Sequence, residues 1–170
     1  MDANPAVTYR PLRGGENWLL LEASLGNFNW KVPWFSREQV LARPDLARYT
    51  LLEPDRGDFG IVVEQDTEPI GVAWALYLPA SAPGYGWVDE STPEFCIWVD
   101  EPYRGLGIGR ALTQRLLAEA RDRAVRRVSL SVDRANLRAK LLYMDLGFAP
   151  IPGGELYGVL LWQDPAVRGA

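Results

Sequence analysis

Glycines alternate in Gly105-Leu106-Gly107-Ile108-Gly109, between an apolar run ending at Val99 and an Arg- and Leu-rich stretch opening at Arg110. Glycine lets the backbone turn tightly and leaves no Cβ between it and a ligand. A helix that opens there also presents unpaired N–H groups and the positive end of its dipole. Together these predict a cradle for a phosphate or pyrophosphate. Downstream, Asn136 and Tyr143 are two helical turns apart, on one face with Lys140 between them. A phenol near pKa ~10 stays protonated at neutral pH and can donate a proton. Upstream, strand alternation puts Glu94, Cys96 and Trp98 on one face and Phe95, Ile97 and Val99 on the other.

Composition removes several chemistries. The chain has no histidine and one cysteine, so a zinc site or a histidine-activated nucleophile lacks its material. Proton transfer falls to carboxylates, tyrosines, the cysteine or water. Residues 1–103 carry 7 Lys/Arg against 16 Asp/Glu, and residues 104–140 carry 10 against 3. That asymmetry suits a basic half holding an anionic cofactor and an acidic half facing a cation, although Arg121, Arg123, Arg126 and Arg127 read more simply as a solvated helix face. The acidic total, with pI near 4.9, argues against nucleic acid. The start, Met-Asp-Ala-Asn-Pro, has no signal-peptide pattern and no apolar run spans a bilayer, so a cytoplasmic protein is expected.

These residues are positioned by elements readable from periodicity. Val7–Leu12 is a strand, Glu16–Leu25 a helix, and Ser36–Tyr49 a second helix with Ser36 as N-cap. Phe59–Val63 and Val72–Leu78 alternate as an antiparallel hairpin, and Phe95–Val99 is the strand feeding the glycine loop. Arg110–Ala124 is an amphipathic helix, Val128–Val132 a strand, Asn136–Leu146 a helix stopped by Gly147, and Leu156–Trp162 a last strand. At 170 residues without a linker or repeat, the chain is expected to form one α+β domain, a mixed and mostly antiparallel sheet flanked by helices.

A dinucleotide fingerprint needs G-x-G-x-x-G, and this chain has Arg110 at the sixth position; with Asp133 standing in for the ribose acid, a nucleotide-dependent oxidoreductase stays open as a further reading. No Gly-Lys-Ser/Thr follows, so the loop is not a P-loop. Arg104-x-x-Gly107-x-Gly109 instead resembles the acyl-CoA pyrophosphate loop of the GNAT superfamily of N-acetyltransferases. Asn136 followed by Leu142-Tyr143-Met144-Asp145-Leu146-Gly147-Phe148 is similar to that family's N-x6-Y-x3-GF segment. The likeness covers residues 94–148, with the hairpin ahead in the right order.

The resemblance implies an α/β/α sandwich and transfer of acetyl from acetyl-CoA to a primary amine, by direct attack in a ternary complex. It makes Tyr143 the general acid for the departing thiolate and Asn136 a cofactor contact. Backbone groups of Ile97, Trp98 and Val99 would pair with the pantetheine arm, and Arg104, Gly105, Leu106, Gly107, Ile108, Gly109 and Arg110 would hold the pyrophosphate. Glu94 becomes the candidate base, with Asp89 and Glu90 in reserve. The relatives that act on ribosomal-protein N-termini carry a glutamate five residues before the asparagine, where this chain has Ser131. Cys96, with no histidine beside it, reads as a small apolar residue. Trp18, Trp74 and Trp162 are expected in the core. Trp30, Trp34, Phe35, Tyr85 and Trp87 are expected to wall an acceptor pocket suited to a cation with an apolar body. A non-catalytic acyl-CoA-binding domain is the alternative. The amine, small molecule or peptide, and a homodimer stay open, and no metal, nucleic acid or membrane is implied.

Overall fold

The computed structural model describes residues 6–167. Seven strands form one sheet: β1 (Val7–Pro11), β2 (Phe59–Gln65), β3 (Glu68–Leu76), β4 (Glu94–Val99), β5 (Arg127–Ser131), β6 (Phe148–Pro150) and β7 (Val159–Gln163), in the order β1-β2-β3-β4-β5-β7-β6. Every neighbouring pair is antiparallel except β4 and β5. Those two run parallel and meet at a single register pair, Glu94 with Ser129. Beyond it they part. The sheet is therefore split near its centre.

Helices cover both faces. On one lie α1 (Asn17–Phe28), α2 (Arg37–Ala42) and α3 (Pro44–Ala47); on the other lie α4 (Ile108–Asp122) and α5 (Leu137–Asp145). Alternation along β4 divides the core accordingly. Phe95, Ile97 and Val99 join the cluster under α4 and α5, while Cys96 and Trp98 join the one built on Leu19, Leu20 and Trp74 under α1. Leu112, Leu116, Leu117 and Ala120 fall on one stripe of α4 and are all buried. Full burial of such a leucine contributes about 1.5–3 kcal/mol, so the stripe suffices to dock the helix.

Local chemistry explains where the elements end. Ser36 caps α2 in a reciprocal box with Gln39, as expected. The helix expected over residues 36–49 does not continue, because Pro44 lacks an N–H and clashes with the preceding turn. The chain restarts as α3 and then tightens into a 3-10 turn over Arg48–Thr50. Two further expectations are corrected. Trp18 is 55% exposed rather than in the core, because α1 buries its 19, 20, 23 and 24 positions and turns Trp18 outward. The last strand starts at Val159, and its partner β6 was not foreseen: Phe148–Pro150 has too few residues to show alternation.

Candidate active site

The glycine loop is built as its spacing requires. Gly105 and Gly107 hold φ of 80° and 83°, a left-handed region that other residues enter at a cost. Gly107 is the N-cap of α4, and Ile108 anchors the helix in the core while Leu106 faces out. Gly109 is not in that region, and a Cβ added there would meet nothing. Its merit is open space above the first turn. Arg104 folds back, its Nε donating to the Val99 carbonyl at 2.8 Å. Arg110 pairs with Asp145 of α5 at 2.7 Å. Across the loop, the Arg138 guanidinium lies 3.5 Å from where a Gly105 Cβ would stand, with no acid paired to it among the described residues.

Strand β4 leads from this loop into the split. Asp100 donates its N–H to the Ile70 carbonyl, which fixes the ladder phase against β3. Even-numbered residues of β4 thus turn their backbone groups to β3, and odd-numbered ones turn theirs to the split. This corrects one expectation: the Trp98 backbone is committed to the β3 ladder, opposite Val72, and Ile97 and Val99 present theirs to the open side. There the Ile97 carbonyl accepts from Asn27 Nδ2 at 3.0 Å and the Val99 carbonyl from Arg104.

A cavity of about 610 Å³ fills the split, and Glu94, Cys96, Ile97, Asn136 and Tyr143 all line it. Glu94 starts β4 and is only 3% exposed. Its Oε1 accepts from Tyr49 Oη at 2.8 Å and from the Gly86 N–H at 2.9 Å. Its Oε2 is buried without a hydrogen-bond partner among the described residues. Burial pushes its carboxyl up to about 7, opposed by those two donors and by Arg48. A carboxylate poised there exchanges protons at neutral pH.

Tyr143 enters from the opposite face. Its ring packs edge-on against Phe95 and Phe148, both with centroids at 5.9 Å, so the Gly147-Phe148 pair that ends α5 also sets the tyrosine. Burial raises its pKa, and the neighbouring Cys96 raises it further, so the phenol stays protonated. Asn136 caps α5, its Oδ1 accepting from Ala139 N at 3.2 Å, while it also lines the cavity. Burial likewise pushes the Cys96 thiol up, which holds the sulfur neutral and weakens it as a nucleophile.

The aromatic and acidic walls differ from expectation. Trp30 and Tyr85 line the cavity, but Trp34, Phe35 and Trp87 do not. Trp34 points to solvent, Phe35 sits in a separate shallow recess, and the Trp87 indole donates to the Leu78 carbonyl. Asp89 is spent on Arg127, Ser91 and Thr92, and Glu90 accepts from Ala80 N. Neither reserve base reaches the cavity. Ser131 donates to the Tyr157 carbonyl at 2.6 Å. In exchange, Ser24, Phe28, Tyr49 and Tyr157 join the lining. Only Ser24 and Phe28 carried a readable signal, four apart on the face of α1 that Asn27 shares. Much of the basic run is structural: Arg121 and Arg126 pair with Asp164, and Arg123 with Glu119.

With this arrangement established, likeness to known proteins carries weight. The model of the acetyltransferase (GNAT) family matches residues 25–148. The chain belongs to the GNAT acetyltransferase family. A mycothiol acetyltransferase of Thermobispora bispora is 31% identical over 146 residues, covering 83% of this chain and 45% of that protein. One from Beutenbergia cavernae is 43% identical over 72 residues, covering 42% of this chain and 24% of that protein. The chain thus spans less than half the length of these curated relatives. The GNAT fold itself recurs in a Salmonella typhimurium acetyltransferase solved with its cofactor acetyl-CoA, at a TM-score of 0.66 and 19% identity over 93% of this chain and 94% of that one. Among the described residues, no helix of this GNAT chain is long and apolar enough to cross a membrane.

Proposed function

We propose that this chain is an acetyl-CoA-dependent N-acetyltransferase acting on a primary amine, carried by one domain and working in the cytoplasm. One observation carries the reading: Glu94 and Tyr143 open from opposite faces of the sheet onto one cavity, at the end of the strand that leads to the glycine loop. The cradle suits a diphosphate. It offers left-handed Gly105 and Gly107, the N-terminus of α4, open space at Gly109 and the uncommitted Arg138. The N–H groups of Ile97 and Val99, which have no partner among the described residues, then suit an extended arm running into the split.

Chemistry follows from the two lining groups. Glu94 takes a proton from the acceptor ammonium, freeing a nitrogen lone pair. That nitrogen attacks the thioester carbonyl; the C–N bond forms, the nitrogen releases its second proton to solvent, and the C–S bond breaks. Tyr143 delivers its proton to the departing sulfur, and the proton held by Glu94 restores the phenol through solvent. Backbone N–H groups at the split edge face the oxygen on which negative charge develops. The raised Cys96 thiol favours this direct transfer over an acyl-enzyme.

Melting the protein with acetyl-CoA, CoA, NAD and ATP in parallel tests the cradle. A ligand at about a hundred times its Kd adds ~2.7 kcal/mol. A shift with both CoA species and neither nucleotide supports the proposal, provided CoA is then released in the presence of an amine. Binding without release from any amine would mark an acyl-CoA-binding module instead.

A further inference from the structure

The cavity has a second, aromatic half beyond the reacting groups. Phe28, Tyr49, Tyr85 and Tyr157 follow one another with ring centroids 6.0, 6.3 and 5.2 Å apart, and Tyr49 and Tyr85 lie stacked within 5° of parallel. The wall is fixed rather than floppy. The Tyr85 hydroxyl donates to Asp45 Oδ2 at 2.8 Å, and its backbone N–H donates to Tyr49 Oη at 2.7 Å.

Charge in the cavity is sparse. Of the carboxylates lining it, Asp133 is held at the rim by Lys31, with 3.1 Å to each oxygen. Arg134 donates to the Glu155 carbonyl at 2.6 Å. Glu94 alone keeps a free carboxylate oxygen inside, and Ser24 Oγ is the other buried lining atom without a partner among the described residues. Leaving such atoms unpaired is costly, and with Asp133 already paired, Glu94 is the carboxylate beside which an occupant's cationic end would sit. The loop over Glu94 closes it tightly: a Cβ at Gly84 would stand 1.9 Å from Glu94 Oε2, and one at Gly86 would stand 2.6 Å from the Leu130 carbonyl carbon.

We infer that the acceptor is a monocationic primary amine with a flat apolar body, an arylalkylamine, whose ammonium meets Glu94 and whose ring lies along the Phe28–Tyr49–Tyr85–Tyr157 wall. This rests on the acetyltransferase reading. A polyamine brings a second ammonium for which the cavity has no free carboxylate. A short alkylamine leaves the aromatic wall unfilled. The ammonium itself gains from ring faces and one carboxylate together.

Initial rates of CoA release test it, with acetyl-CoA and either phenethylamine, tyramine, propylamine, spermidine or an N-acetylated lysine peptide. The two ring-bearing amines are expected to exceed the others in kcat/KM by about tenfold or more. Tyr85→Leu is expected to erase that advantage while KM for acetyl-CoA stays within about twofold, and Tyr85→Phe, which keeps the ring, is expected to retain it. Spermidine, propylamine or the lysine peptide matching the ring-bearing amines overturns the acceptor assignment and leaves the acetyltransferase reading standing. CoA release with none of the five, despite an acetyl-CoA melting shift, overturns both.

Discussion

Tyr49 Oη donates to Glu94 Oε1 at 2.8 Å and itself accepts the Tyr85 N–H, so a 3-10 turn after α3 is wired to the first residue of β4. The Trp74 indole completes the hold by donating to the Tyr49 carbonyl at 3.1 Å. The proposed base thus owes its orientation to a segment outside the strand–loop–helix core proposed to hold the cofactor.

Replacing Tyr49 with Phe removes a donor that favours the charged carboxylate. The Gly86 N–H and the more distant Arg48 remain, with Cys96 as the other titratable neighbour. The acidic limb of the kcat/KM profile, expected near the carboxyl's value of about 7, is predicted to move upward by about one pH unit. KM for acetyl-CoA should hold. An unmoved limb would show that the bond is structural only.

Glu94→Gln separates catalysis from stability. Turnover is predicted to fall by roughly 10²–10⁴. Stability goes the other way. An unfolded glutamate titrates near ~4.3 and folded Glu94 near about 7. Between those values the folded chain keeps a proton that the unfolded chain has released, so this group's contribution falls as pH rises through the window and stays low above it. The neutral glutamine escapes that loss. Its stability relative to wild type is predicted to climb by about 3 kcal/mol between roughly pH 5 and pH 8. Urea melts at the two pH values measure the gap, and a constant gap refutes the burial argument.

Tyr143→Phe keeps the ring against Phe95 and Phe148 but removes the proton. A drop in kcat of roughly 10²-fold or more is expected, with the acetyl-CoA melting shift intact. Equal loss of binding and turnover would make the tyrosine a packing residue.

Gly109→Ala tests the cradle directly. The position lies in the first turn of α4 with no positive φ and no atom near its would-be Cβ. Alanine should stabilise the free protein by about 0.5–1 kcal/mol and yet weaken acetyl-CoA binding, because the methyl group projects where the phosphates would approach. Gly107→Ala, at φ 83°, should instead lower stability and binding together. Thermal melts with and without ligand distinguish the two patterns.

Residues 94–148 were the legible part of the chain, because each signal there was local. Three glycines before an amphipathic helix, and an asparagine two turns from a tyrosine, sit within reach of one another along the sequence. Glu94 was nameable through the family resemblance, which points to a glutamate near the start of this strand. What holds it was not. Tyr49 is 45 residues away along the chain, and the spacing of its segment predicts the end of one long helix, a pattern that Pro44 interrupts. The loop over the carboxylate was similarly opaque. Gly84 and Gly86 allow close approach to Glu94 and Leu130, a packing role that no local pattern shows. Asp89 and Glu90 failed as candidates because Arg127 and a backbone amide claim them, pairings that only tertiary structure sets.

The lone register pair joining β4 to β5 makes the sheet two plates meeting along a crease. Amide hydrogens of Ile97 and Val99 lie in the middle of a seven-stranded sheet and yet have no partner on that side among the described residues, so they should exchange with solvent like those of an outer rim strand. An extended ligand laid into the crease would act as a missing strand, and exchange there should slow sharply while the amides of Cys96 and Trp98, already bonded to β3, stay unchanged. The plates would then behave as a single slab.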